Sequence, residues 1–140
     1  MKKVNSLLAI TTIFGLMLVA SCAPEEEEDT TPTDPRDKYV GTWSCAEKSQ
    51  LYSDYSYQAN IKKSTTNTSQ VLIENFYNLG FNTNVVASVS STTLNISQQT
   101  VSGQAISGNG TSSGNNTINF SYIANDGGNA VDTVTVAFTK

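Results

Sequence analysis

The chain contains no histidine. That absence removes the commonest general base, the commonest metal ligand and the usual histidine-centred catalytic triads in one step. Cysteine is nearly as scarce. Cys22 lies beside an apolar leader and Cys45 stands alone in a strand-like run, so no internal disulfide is expected and the fold must hold without a staple. Proline is confined to Pro24, Pro32 and Pro35. Charged residues make up only 14% of the chain, and from Lys38 onward five acids meet five bases, which leaves no electrostatic footprint for nucleic acid. The longest apolar run, Leu7 to Ala20, has 14 residues, short of the roughly 20 that cross a bilayer as a helix.

What the chain does have begins at that run. Lys2 and Lys3 precede it and Val19-Ala20-Ser21-Cys22 follows it, a positive start, an apolar middle and a small-residue cleavage context. Residues 1–21 are therefore expected to be a signal peptide. The Leu18-Val19-Ala20-Ser21-Cys22 segment resembles the lipobox of bacterial lipoproteins. The resemblance implies that Cys22 is acylated, becomes the mature amino terminus and holds the protein to a lipid bilayer; the alternative is a soluble secreted protein cut nearby. Residues 22–37 carry seven acids against Arg36, with all three prolines, and are expected to be an extended acidic tether that cannot bury apolar area. Glu25 to Asp29, just after the cysteine, resembles the surface-export signal of Bacteroidota-type lipoproteins. That likeness implies an outer-membrane protein facing the cell surface, whereas the plainer alternative is a solvated spacer. Asp29-Thr30-Thr31 resembles the O-glycosylation triplet of the same bacteria and makes Thr30 a candidate modification site.

From Tyr39 the hydrophobic period becomes two. Trp43-x-Cys45, Tyr55-x-Tyr57-x-Ala59-x-Ile61, Val85-x-Ala87-x-Val89, Ile118-x-Phe120-x-Tyr122 and Val134-x-Val136-x-Phe138 each read as a half-buried strand. Strands are expected at 41–48, 54–63, 70–76, 84–90, 93–98, 100–107, 116–124 and 131–139, with turns at Ser90-Ser91, Gly108-Asn109-Gly110, Gly114-Asn115 and Asn125 to Gly128. Short connections favour antiparallel hairpins. Residues 38–140 are thus expected to form an all-β domain, an eight-stranded antiparallel up-and-down barrel that leaves no open edge, with a two-sheet sandwich as the alternative. Tyr39-Val40-Gly41-Thr42-Trp43 resembles the Gly-x-Trp opening of lipocalin-like calycin barrels. The likeness implies that Trp43 plugs one end of the barrel. No counterpart of the later lipocalin motifs is seen.

Catalytic chemistry finds little support. Glu47, Asp54, Glu74, Asp126 and Asp132 are the acids of the domain; a glycosidase pair would need two of them facing each other across a cleft, and Glu74 reads as outward and solvated. Asn125-Asp126-Gly127-Gly128-Asn129 has the oxygens and glycines of a calcium loop but too few carboxylates, so a glycine-rich hairpin turn is expected. No serine sits beside a base, and no metal or cofactor is expected. Trp43, Tyr57, Phe76, Phe81, Phe120 and Phe138 are the candidate barrel-core or pocket residues. The cluster Phe76, Tyr77 and Phe81 reads either as a loop capping the core or as the mouth of a small pocket. Cys45 reads as a buried small hydrophobe. The sequence as a whole points to a monomeric, non-enzymatic lipoprotein with a binding or envelope-structural role. The alternatives are a carrier of a small hydrophobic ligand and a module that binds another protein.

Overall fold

The computed structural model describes residues 33–140. The expected acylation site Cys22, the glycosylation candidate Thr30, the expected signal peptide and most of the expected tether lie outside the described residues. A short 3-10 turn, η1 (Asp37–Tyr39), leads into eight strands: β1 (Gly41–Ser49), β2 (Tyr55–Lys63), β3 (Gln70–Glu74), β4 (Asn84–Ser90), β5 (Thr93–Val101), β6 (Gln104–Ser113), β7 (Thr117–Asn125) and β8 (Asp132–Thr139). A second 3-10 turn, η2 (Phe76–Asn78), interrupts the path from β3 to β4. Each strand pairs with the next, and β8 returns to β1, with Cys45 opposite Phe138. The sheet is a closed antiparallel up-and-down barrel, not a two-sheet sandwich.

Period-two alternation decides which side chains enter. On β1, Trp43, Cys45 and Glu47 are buried while Thr42, Ser44, Ala46 and Lys48 are exposed. On β8, Asp132, Val134, Val136 and Phe138 are buried. Two-residue connections fit the twist of the strands they join: Ser102 and Gly103 between β5 and β6 both have positive φ, 49° and 79°, as a type I′ turn requires.

The turn expected at Gly108-Asn109-Gly110 is not one, and the strand expected over 100–107 contains one, at Ser102-Gly103. Gly108 and Gly110 lie inside β6, opposite Tyr122 and Phe120 of β7. Their role is space. A β-carbon on Gly110 would stand 2.4 Å from the Phe120 ring, and one on Gly108 would stand 2.4 Å from the Tyr122 β-carbon. The break expected near residue 99 is a register shift in β5 between Ile96 and Gln99, after which the strand continues to Val101. There the Gln99 amide stands in for a strand, accepting from Val86 N at 2.9 Å and donating to Val86 O at 2.8 Å.

One end of the barrel is closed from below. Tyr39 is fully buried, and its carbonyl accepts the Trp43 indole N–H at 2.7 Å. The Tyr39 hydroxyl reaches Ser91 O and Ser112 Oγ, both at 3.2 Å. Lys140 Nζ sits 4.5 Å above the Trp43 ring and donates to the carbonyls of Lys38 and Val40. The Gly-x-Trp segment thus plugs an end, as its resemblance implies. The domain boundary expected at residue 38 moves back, because Asp34 to Asp37 are folded against this end. Arg36 is only 7% exposed. Its Nη1 donates to the carbonyls of Ser64, Asn67 and Gln70 in the β2–β3 turn, and Asp34 accepts from its Nε and Nη2. The single base of the acidic stretch gathers three backbone carbonyls of one turn, two of which also accept N–H groups within it (Asn67 O from Gln70 N, Gln70 O from Ser64 N), and this holds that part of the stretch in place.

Because Phe120 packs where a side chain on residue 110 would be, Gly110→Ala is expected to cost about 1–3 kcal/mol of stability. Urea denaturation followed at the single tryptophan measures it. Adding Phe120→Leu to the same chain should recover part of that loss, since the ring in conflict is then gone.

Candidate functional site

The interior divides along its axis. In the half next to the plug, aromatic rings fill the space: Phe120 and Phe138 centroids are 4.9 Å apart, Trp43 and Phe138 6.5 Å, and Phe76 meets Phe120 edge-on at 5.4 Å and Tyr122 at 4.6 Å. Four of the six candidate residues, Trp43, Phe76, Phe120 and Phe138, are therefore brought together as core. Phe76 arrives from η2 and not from a strand, although sequence extends the third strand to it. Tyr57 is half-buried and belongs to the polar layer above. Phe81 is 53% exposed on the loop before β4, so it is not a core residue; the chain has already turned outward at Gly80, whose φ is 101°.

Toward the opposite end the interior becomes polar. Glu47 is the next inward residue of β1 after Cys45 and is 1% exposed. Its Oε2 accepts from the Tyr122 hydroxyl at 2.6 Å and the Tyr57 hydroxyl at 2.9 Å. Its Oε1 is buried with no hydrogen-bond partner among the described residues. The Tyr57 hydroxyl oxygen in turn accepts the backbone N–H of Tyr77 at 3.1 Å, and the Tyr77 hydroxyl donates to Asp132 Oδ2 at 2.8 Å. Asp132, also buried, accepts from Ser49 Oγ at 2.8 Å and from the backbone N–H groups of Gln50 and Leu51. A continuous network therefore runs from Tyr122 through Glu47, Tyr57 and Tyr77 to Asp132 and the β1–β2 turn.

The η2 segment completes this layer at a conformational cost. Asn75, Tyr77 and Asn78 all adopt left-handed backbone, with φ of 58°, 55° and 53°. Asparagine tolerates that region; tyrosine does so only when its surroundings enforce it. Here they do. Phe76 is buried among three rings, Asn75 Nδ2 donates to Gln58 O at 2.7 Å, and Asn75 Oδ1 accepts from Gly80 N at 2.6 Å.

Above the layer lies an open cleft of about 210 Å³, bounded by Leu51 and Tyr52 from the β1–β2 turn, Tyr77 from η2, Gln104 from β6, and Asp126 and Asp132 around the β7–β8 turn. Tyr52 is 61% exposed. Asn125 to Asn129 form the expected glycine-rich turn, with Asn125 and Asp126 side chains accepting from Gly127 N and Gly128 N. Among the described residues no group of three or more carboxylate, histidine or cysteine side chains is placed to hold a metal ion.

Burial governs the ionisation of these groups. It pushes the Tyr122 and Tyr57 phenols far above the ordinary tyrosine range, and the neighbouring Glu47 adds to the effect. Tyr55 and Tyr77 are raised for the same first reason, then by Glu47 and Asp132 respectively. Burial also lifts the Cys45 thiol to about 12, so it is inert at neutral pH.

Glu47 and Asp132 escape recognition as interior groups when acids are scanned for catalytic pairs. Phase would have found them, because Glu47 shares parity with Trp43 and Cys45, and Asp132 with Val134 and Phe138. Glu74 is of the opposite kind: on the outward parity of β3, it accepts from Lys62 Nζ at 2.6 Å and Asn60 Nδ2 at 2.9 Å. The two glutamates do not form a pair across a cleft.

No protein-family model and no curated protein matches the chain. Solved structures share its fold, among them two barrels. One is a redesigned beta barrel, b11L5F_LGL, at 12% identity and a TM-score of 0.56, covering 76% of this chain and 95% of that one. The other is EF1p2_mFAP2b bound to DFHBI, at 11% identity and a TM-score of 0.54, covering 76% of this chain and 97% of that one.

The phenols give a pH dependence whose sign is fixed. A tyrosine raised in the folded state favours the neutral form there, so its contribution is complete below the unfolded value of about 10 and declines as pH rises above it. Alkaline titration should show Tyr57 and Tyr122 ionising only together with loss of the barrel. Parallel absorbance at 295 nm and circular dichroism would expose the contrary result, early ionisation in a folded protein.

Proposed function

We propose that this chain is a non-enzymatic binding barrel whose ligand sits in the mouth cleft. The observation that carries the reading is the cleft itself: an open space of about 210 Å³ with Tyr52, Tyr77, Gln104 and Asp132 converging on it, above an interior already filled by aromatic rings. The sequence offers a carrier of a small hydrophobic ligand inside the barrel as an alternative; on this geometry the small ligand is kept but moves to the mouth, because aromatic rings occupy the interior. A shared fold with a barrel bound to DFHBI is consistent with it but at 11% identity carries no assignment of ligand. The phenols that reach the two buried carboxylates stay protonated, and this supports a role in shaping the cleft rather than in proton abstraction.

The reading extends to location. Acylation at Cys22 and placement on the outer surface of an outer membrane rest on the Leu18–Cys22 segment and the acidic run behind it. The described chain enters the folded domain at the plugged end, opposite the end that holds the cleft. Two acyl chains would hold the protein stably where one would not.

Two measurements test these parts separately. Titrating an isotopically labelled domain with a chemically mixed set of small molecules should move amide resonances around Tyr52, Gln104 and Asp132, and Tyr52→Ala should abolish those shifts. A set that moves only resonances at the plugged end, or none, overturns the cleft reading. For the anchor, Cys22→Ser is expected to shift the full-length protein from the membrane to the soluble fraction, and retention in the membrane would refute it.

A further inference from the structure

Residues 38–140 are neutral overall, but the charges of the folded domain are sorted by end. At the plugged end Arg36, Lys38, Lys63 and Lys140 face Asp34 and Asp37, and Lys62 pairs with Glu74 on the wall. At the mouth Glu47, Asp54, Asp126 and Asp132 face only Lys48, which points outward. Among the described residues every ion pair involves Asp34, Asp37 or Glu74. The mouth carboxylates are held by neutral donors alone: phenols for Glu47, and a serine, a phenol and backbone amides for Asp132. Donors of that kind bring no positive charge to the carboxylates they hold.

We infer that the cleft takes a small organic cation, an ammonium head on a compact apolar body. This rests on the ligand-binding reading above and narrows it. Asp126 and Asp132 both line the cleft and no lysine or arginine does, so an anion finds no positive partner there while a cation finds two carboxylates. The Tyr52 and Tyr77 rings on the same wall offer the faces that attract ammonium groups. A second observation points the same way from inside the barrel. Glu47 Oε1, linked to the cleft wall through Tyr57 and Tyr77, is a buried carboxylate oxygen with no donor among the described residues, and N–H is what it lacks. Leu51 and Ala124 supply apolar surface for the body of the ligand. A bare metal ion is a poorer fit, since three ligating side chains do not converge there.

The test uses three probes of one shape on the folded protein: phenethylammonium, 2-phenylethanol and 3-phenylpropanoate. Calorimetry and amide shifts are read at low and moderate salt. Phenethylammonium should bind at the mouth about tenfold more tightly than the alcohol, and the propanoate more weakly than either. Raising salt should erode that preference. Asp126→Asn keeps the side-chain oxygen that accepts from Gly128 N and should cut the preference for the ammonium while leaving alcohol binding unmoved. Equal or better binding of the alcohol or the propanoate at the mouth would overturn the cation inference and leave the ligand site standing. Calcium chloride displacing the ammonium would also overturn it, in favour of a metal ion. An ammonium preference insensitive to both salt and Asp126→Asn would do the same. Silence of all three probes at the mouth would count against the site itself.

Discussion

Closing eight antiparallel strands leaves an interior just wide enough to be filled by side chains, and that width constrains everything else in this domain. Large rings can enter only where the wall gives way. Gly108 and Gly110 are where it does, opposite Tyr122 and Phe120, and Ala59 does the same opposite Trp43. With those positions small, Trp43, Phe76, Phe120 and Phe138 stack into one aromatic column, packed within a core that also holds Ile61, Ile73, Leu94, Ile96, Ile106 and Ile118. In a domain of this size, with no disulfide, the column has no substitute.

The column also dictates where polarity goes. It occupies the plugged half, so the inward positions that remain, Glu47, Ser49, Tyr55, Tyr57, Tyr122 and Asp132, are pressed toward the mouth. Burying a carboxylate is costly unless its lone pairs are met. The tyrosines and the β1–β2 turn meet most of them, which is why these residues form one network and not scattered pairs. The network in turn selects the path of η2. A tyrosine in left-handed backbone costs about 1–3 kcal/mol, and it is tolerated because its N–H, its hydroxyl and the neighbouring Phe76 ring are all engaged.

Much of the wall was legible in the sequence because alternation is local. Trp43-x-Cys45 and Val134-x-Val136-x-Phe138 announce their facing without reference to any partner strand, and the short gaps between runs imply hairpins and closure. The errors come from places where a residue's meaning depends on what lies across the barrel. Gly108 and Gly110 read as a turn because glycine usually marks one; only the rings of β7 reveal them as space. Arg36 reads as one base in a disordered acidic stretch until the three carbonyls of the β2–β3 turn are seen beneath it. Phe76 and Phe81 look alike in a loop, and the reversal at Gly80 separates them into core and surface.

The same reasoning explains why the site was the least legible part. Glu47 and Asp132 are 85 positions apart in sequence, and neither lies in a motif. What joins them is Tyr77, through its backbone N–H on one side and its hydroxyl on the other. That bridge exists only because Phe76 is drawn into the column while Gly80 turns the chain back out. The mouth is therefore a consequence of the core: the aromatic column fixes Phe76, Phe76 fixes Tyr77, and Tyr77 closes the layer on which the cleft stands. A substitution that loosens the column at Phe120 should reach the cleft through this route without touching any residue that lines it. The binding surface and the hydrophobic core are two ends of one packing arrangement, so neither changes independently of the other.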